Sequence, residues 1–164
     1  MLAGCSKPPT QYLGQWEVDQ ADLVRMLEES HPGDSEDNIA LRERFIEAHQ
    51  GAAWTFLDDG TFTHDGAFPA RGRYRVYDYG KDWVVVRLLP ESMGDGDQQT
   101  DFDEVNAMTA QEWVDHEQQR DGVASLLIGF AFLGDDQMRE FTLVVRDGKI
   151  TDDRKENVIF NRVP

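Results

Sequence analysis

The 164 residues suffice for one domain with its own core, and 40% hydrophobic with 10% aromatic content excludes a disordered chain. Thirty-two Asp and Glu against 16 Lys and Arg give a net charge of −16, which excludes nucleic acid and electrostatic docking on anionic lipid, since both need clustered cations. Cys5 is the single cysteine, so neither an intramolecular disulfide nor a cysteine-based zinc site is available, and the longest apolar stretch, Ala124–Leu133, is too short to span a bilayer as a helix.

At the start, Leu2-Ala3-Gly4-Cys5 resembles a bacterial lipobox, where small residues before the cysteine fit the subsites of a signal peptidase. The resemblance implies that Cys5 carries a diacylglycerol and becomes the first residue of the mature protein. Ser6-Lys7-Pro8-Pro9-Thr10-Gln11 then reads as a polar tether, and the acyl chains supply the membrane affinity that the surface lacks. Only Met1–Gly4 precede Cys5, short of the basic start and the apolar run of about 7–15 residues of such a signal, so the resemblance requires a signal that begins further upstream. It implies a cell-envelope location, and Ser6 after the cysteine is similar to lipoproteins sorted to an outer membrane, facing the periplasm. Residues 1–11 are thus read as lipobox remnant and tether, and 12–164 as one domain.

A first strand is expected after Gly14, through Trp16 and Val18. Two helices follow. Asp19 or Asp22 caps the first, which carries Leu23, Val24 and Leu27 on one face and stops at His31-Pro32-Gly33. Asp34 or Ser35 caps the second, with Ile39, Arg42, Phe45 and Ile46 at helical spacing, Glu36 and Asp37 in its first turn, and Gly51 at its end. Together they form an insertion over about residues 20–50 that can cover one end of a sheet.

The remainder reads as strands joined by tight turns. Trp54–Leu57 and Thr61–His64 flank Asp58-Asp59-Gly60: a three-residue turn with Gly60 at positive φ sets Phe56 opposite Phe62 and Trp54 opposite His64, a two-residue Asp59-Gly60 turn would set Leu57 opposite Phe62, and the first is preferred because it places three aromatics on one face. Gly72–Val76 and Trp83–Leu89 form the next pair, with Pro90 as the expected stop. Met93–Thr100 is a loop by composition, and Phe102–Trp113 reads as two short strands around Thr109-Ala110-Gln111. A strand over Leu126–Leu133 follows. Next comes one in which Phe141, Leu143 and Val145 alternate, and the last places Val158, Phe160 and Arg162 on one face. The fold class is mainly β: an antiparallel up-and-down barrel of about eight to ten strands, closed because closure removes exposed edges, with a two-helix insertion between the first and second strands.

Gly14-Gln15-Trp16 near the domain start resembles the Gly-x-Trp of lipocalins and lipocalin-like bacterial proteins. The hairpin Phe56–Phe62 followed by Gly72–Val76 is similar to the early hairpins of such domains. Arg162 resembles the Arg that packs across the first-strand Trp in that family. The likeness implies a calycin-type barrel in which Gly14, Trp16 and Arg162 latch the first strand to the last by a cation–π contact. The helical insertion departs from the secreted lipocalin pattern.

Trp54, Phe56, Phe62, Tyr74, Phe130 and Phe132 are the candidates to line an apolar cavity, and an eight-stranded barrel has room either for one small ligand or for side chains alone. His64, opposite Trp54, is the candidate to bond a ligand. His31, His49 and His116 show no ligand spacing, and Asp95–Glu104 fails the calcium-loop pattern, with Thr100 and Asn106 where Gly and Glu are needed. No serine lies in a Gly-x-Ser-x-Gly setting and no glycine-rich phosphate loop precedes a helix. No enzyme, metal or cofactor is therefore expected. The leading expectation is an envelope lipoprotein that binds a small apolar or amphipathic ligand. The alternative is an acidic module that captures a cationic protein.

Overall fold

The computed structural model describes residues 7–67, 69–93, 102–109, 112, 115, 122–147 and 149–164. Cys5, His116 and residues 95–101 of the acidic loop lie outside them. Eight strands form a closed antiparallel barrel in chain order: β1 (Gly14–Val18), β2 (Ala53–Phe56), β3 (Thr61–Asp65), β4 (Ala70–Tyr79), β5 (Trp83–Met93), β6 (Gly122–Phe132), β7 (Gln137–Arg146) and β8 (Lys149–Arg162). Two helices, α1 (Gln20–Ser30) and α2 (Glu36–His49), stand between β1 and β2.

Closure is made by β1 and β8, where Trp16 and Arg162 are register partners. The Arg162 guanidinium lies 4.3 Å over the Trp16 ring, which is wholly buried. Its nitrogens donate to the carbonyls of Leu13 (3.0 Å), Asp135 (3.0 Å) and Gln11, while Trp16 Nε1–H donates to the Tyr12 carbonyl at 2.8 Å. Gly14 has φ +112°, and a Cβ there would stand 3.2 Å from Arg162 Nη1. The Gly-x-Trp pattern thus has a local physical cause: the glycine supplies the backbone turn and leaves space for the guanidinium.

The β2–β3 hairpin has the expected register, Trp54↔His64 and Phe56↔Phe62. Gly60 adopts φ +83°, and Asp59 Oδ1 accepts from both the amide and the hydroxyl of Thr61. The helix caps also follow the sequence. Asp19 accepts from the Asp22 amide at 3.0 Å, and Ser35 from the Asn38 amide at 3.3 Å.

α1 covers the end of the barrel at which β1 exits. Leu23 and Leu27 are buried in the interior cluster, and Asp22 Oδ2 accepts from the Ile159 amide of β8 at 3.1 Å. α2 buries no residue fully, and Ile46 alone of its apolar side chains packs against that cluster. A second apolar cluster lies on the outer face, around Val85, Leu127, Phe141, Leu143 and Val145. There Arg154 sits 4.5 Å from the Trp83 ring and 4.4 Å from Phe141.

Two expectations are corrected. Phe102–Ala107 is a helix, α3, rather than a strand, and Glu112 and Asp115 are also helical. Asp103 and Glu104 occupy the first turn of α3, where carboxylates favour a helix. Thr109 and Glu112 exchange hydrogen bonds as a capping box. Pro90 does not end β5, which runs on to Met93 through a register shift that sets Gly72 opposite Pro90. A Cβ on Gly72 would meet the Leu89 carbonyl oxygen at 2.3 Å, so glycine on β4 makes the proline tolerable on β5.

Candidate functional site

The seven residues proposed from sequence as ligand-lining meet inside the barrel. Trp54, Phe56, Phe62, Tyr74 and Phe130 are buried in the interior cluster, and Phe132 packs against it partly exposed. His64 lies against Trp54, ring centroids 4.3 Å apart. Alternation along β2, β3, β4 and β6 puts them all on the inner face.

Their packing is not uniform along the barrel. Near the β1–β8 seam the rings fill the space: Phe56 stacks with Trp54 at 5.5 Å and meets Tyr74 and Phe130 edge-on at 5.2 and 5.4 Å. Tyr12, just before β1, seals that end against Phe56 and Tyr74, both at 5.9 Å. The Tyr74 hydroxyl donates to the Leu57 carbonyl at 2.6 Å, and desolvation raises its pKa well above the ordinary tyrosine range.

One layer further in, the wall becomes polar at a residue that sequence reasoning missed. Glu140 on β7 is the register partner of Phe130 and extends toward Trp54. Trp54 Nε1–H donates to Glu140 Oε2 at 2.9 Å, and Asn157 Nδ2–H donates to Oε1 at 3.1 Å. Burial pushes the Glu140 carboxyl up from its ordinary value; the two hydrogen bonds and then the charges of His64 and His49 act in the opposite direction. Glu140, His64, Asn157 and Phe132 are each partly exposed, whereas Trp54, Phe56, Phe62, Tyr74 and Phe130 are buried. A carboxylate has about four acceptor positions, and the two protein donors leave others for a ligand.

Alternation along β7 marks an apolar face without saying whether it is the inner or the outer one. Phe141, Leu143 and Val145 alternate and dominate the strand, yet they belong to the outer cluster, while Met138 and Glu140 face the interior. Among the described residues, two concavities lie outside the barrel. One is a groove of about 280 Å³ beside Tyr77, Trp83 and Arg154, and the other an open depression at Gln137, Asn161 and Pro164.

Comparison with protein-family models, curated proteins and solved structures found no match, so the functional reading rests on geometry and sequence.

Proposed function

We propose that this chain is a cell-envelope lipoprotein whose lipocalin-like barrel holds a small amphipathic ligand. The ligand's apolar part lies against Trp54, Phe130 and Phe132, and its polar end at Glu140. The observation that carries this reading is the Glu140 carboxyl on the inner wall of an aromatic-lined barrel. A side-chain-filled core gains nothing from an ionisable group, because desolvating the charged form costs free energy. A wall that is apolar with one convergent polar group is what an amphipathic ligand needs. Leu2-Ala3-Gly4-Cys5 and the Pro8-Pro9 tether support attachment through Cys5 to an outer membrane, with the domain on the periplasmic side.

Native mass spectrometry of the protein purified gently from its own host tests the ligand. A reproducible adduct of lipid-like mass, lost on organic extraction, supports the reading, and a spectrum of bare protein under retaining conditions counts against it. Incorporation of labelled fatty acid, abolished by Cys5→Ser, tests the anchor.

The net charge of −16 supports a second reading, capture of a cationic protein at the surface. Affinity for such a partner falls steeply with added salt if charge drives it, and is indifferent to salt if it does not.

A further inference from the structure

The groove on the outside of the barrel has a chemistry of its own, separate from the interior. β8 brings Arg154 across to β5, where its guanidinium lies 4.5 Å from the Trp83 ring and 4.4 Å from the Phe141 ring. Two glycines make room for these rings. A Cβ on Gly80 would stand 2.2 Å from Trp83 Nε1, and one on Gly129 would stand 2.1 Å from the Phe141 ring. Both rings thus lie where a side chain is missing, and the guanidinium rests on them. Stacking of this kind fixes the plane of an arginine, while its N–H donors point outward in that plane.

The groove encloses about 280 Å³. Val85 and Leu143 line it as buried apolar residues, whereas Trp83 is partly exposed and Tyr77 is 46% exposed. Two exposed carboxylates, Asp78 and Asp152, stand in the same wall as Arg154. Asp78 Oδ1 accepts from the Tyr79 amide at 2.8 Å, and a carboxylate has further acceptor positions to offer.

These groups select a ligand by what they penalise. An apolar ligand would cover two carboxylates and a guanidinium without replacing their water. An anion that reaches Arg154 meets Asp78 and Asp152, and a cation that reaches the carboxylates meets Arg154. A neutral ring with hydroxyls on its edge and C–H groups on its face conflicts with none of them. We propose that this outer groove is a saccharide-binding site. The sugar hydroxyls donate to Asp78 and Asp152 and accept from Arg154, while the C–H face of the ring lies on Tyr77 and Trp83. The volume falls at the small end of ligand sites, roughly 300–1,000 Å³, which suits one or two sugar rings rather than a lipid.

Titration of the nitrogen-15-labelled full chain with cellotriose, maltotriose and chitotriose, read at the indole N–H resonances, tests this. Trp83 is assigned by its loss in Trp83→Phe. At least one of these neutral trisaccharides should give a saturable shift at Trp83 and leave the Trp54 indole, inside the barrel, unmoved. Its affinity should agree within about twofold between low and high salt, because no net charge is brought together. Trigalacturonate, similar in size but anionic, should bind more weakly. Arg154→Ala should weaken the binding about tenfold or more, the scale of a hydrogen bond to a charged donor. Tyr77→Ala removes an exposed ring and should weaken it several-fold with the rest of the spectrum unchanged. No Trp83 shift with any of the three neutral sugars would overturn the site. Tighter binding of trigalacturonate than of all three, lost on adding salt, would overturn the saccharide assignment in favour of an anion on Arg154. A shift at Trp54 in place of Trp83 would put the sugar inside the barrel and equally overturn the outer site.

Discussion

Arg162→Ala is the perturbation with the most calculable consequence, because one side chain joins the last strand to the first. The guanidinium contributes a cation–π contact over a fully buried indole, about 1–2 kcal/mol when partly desolvated. It also contributes three hydrogen bonds to the carbonyls of Leu13, Gln11 and Asp135. These carbonyls lie near the surface, where water replaces part of what is lost, so each adds about 0.5–1 kcal/mol net. The sum is about 2.5–5 kcal/mol, and for a chain of this size it lowers Tm by about 5–20 °C. Urea unfolding followed by tryptophan fluorescence measures it. Arg162→Lys keeps the charge but loses the planar fork, and should fall between wild type and alanine. A loss below about 0.5 kcal/mol for Arg162→Ala would refute the seam as a stabilising latch, since that is the range of an ordinary surface substitution.

Gly72→Ala should destabilise by about 3 kcal/mol or more. Its Cβ would lie 2.3 Å from the Leu89 carbonyl oxygen and 2.7 Å from Pro90 Cα, backbone atoms that cannot rotate away as a side chain can. Chemical denaturation of the purified variant checks the loss. Gly129→Ala should cost about 1–3 kcal/mol by driving its Cβ into the Phe141 ring at 2.1 Å, and Gly129→Ala/Phe141→Leu should recover part of it. Glu140 gives a pH signature. With its folded pKa above the ordinary glutamate value of 4.5, the folded state retains a proton that the unfolded chain has already released. Its stabilising contribution is therefore full below that value, falls as pH rises through the raised folded pKa, and is flat above it. Subtracting the Glu140→Gln stability profile from that of the wild type should isolate this falling segment, and a flat difference from pH 4 to 8 would show that the carboxyl is solvated.

Much of the fold was legible because local chemistry and the global pattern agree. Asp58-Asp59-Gly60 dictates the hairpin register, and Asp19 and Ser35 dictate where the helices start. Gly14, Trp16 and Arg162 anticipate closure, because only a closed barrel brings the chain's two ends into register. The strand count settles at eight because β5 and β6 are long, and the segment taken for extra strands begins as α3. Its helical signals are the acids in the first turn and Thr109 three residues before Glu112. Pro90 misled because a proline alone reads as a stop, and its compensating glycine sits on the neighbouring strand, 18 positions earlier.

The aromatic half of the site was legible for the same reason as the hairpins: alternation assigns Trp54, Phe56 and Phe62 to one face. The polar half was not. A glutamate on a strand reads as a solvent-facing residue. β7 carries apolar side chains on both faces because its outer face is covered by Ile150 and Trp83. Alternation then identifies two buried faces without saying which is interior, and Glu140 becomes visible only when Trp54, 86 residues away in sequence, is seen to donate to it.

The most direct measurement is the titration of the Glu140 carboxyl in the unliganded protein by carbon-13 NMR, assigned by its loss in Glu140→Gln. A midpoint clearly above those of the exposed glutamates, accompanied by a shift of the Trp54 indole N–H over the same pH range, places the group inside the barrel with its donor. A midpoint in the ordinary carboxylate range with a silent Trp54 indole would contradict the interior site and everything inferred from it.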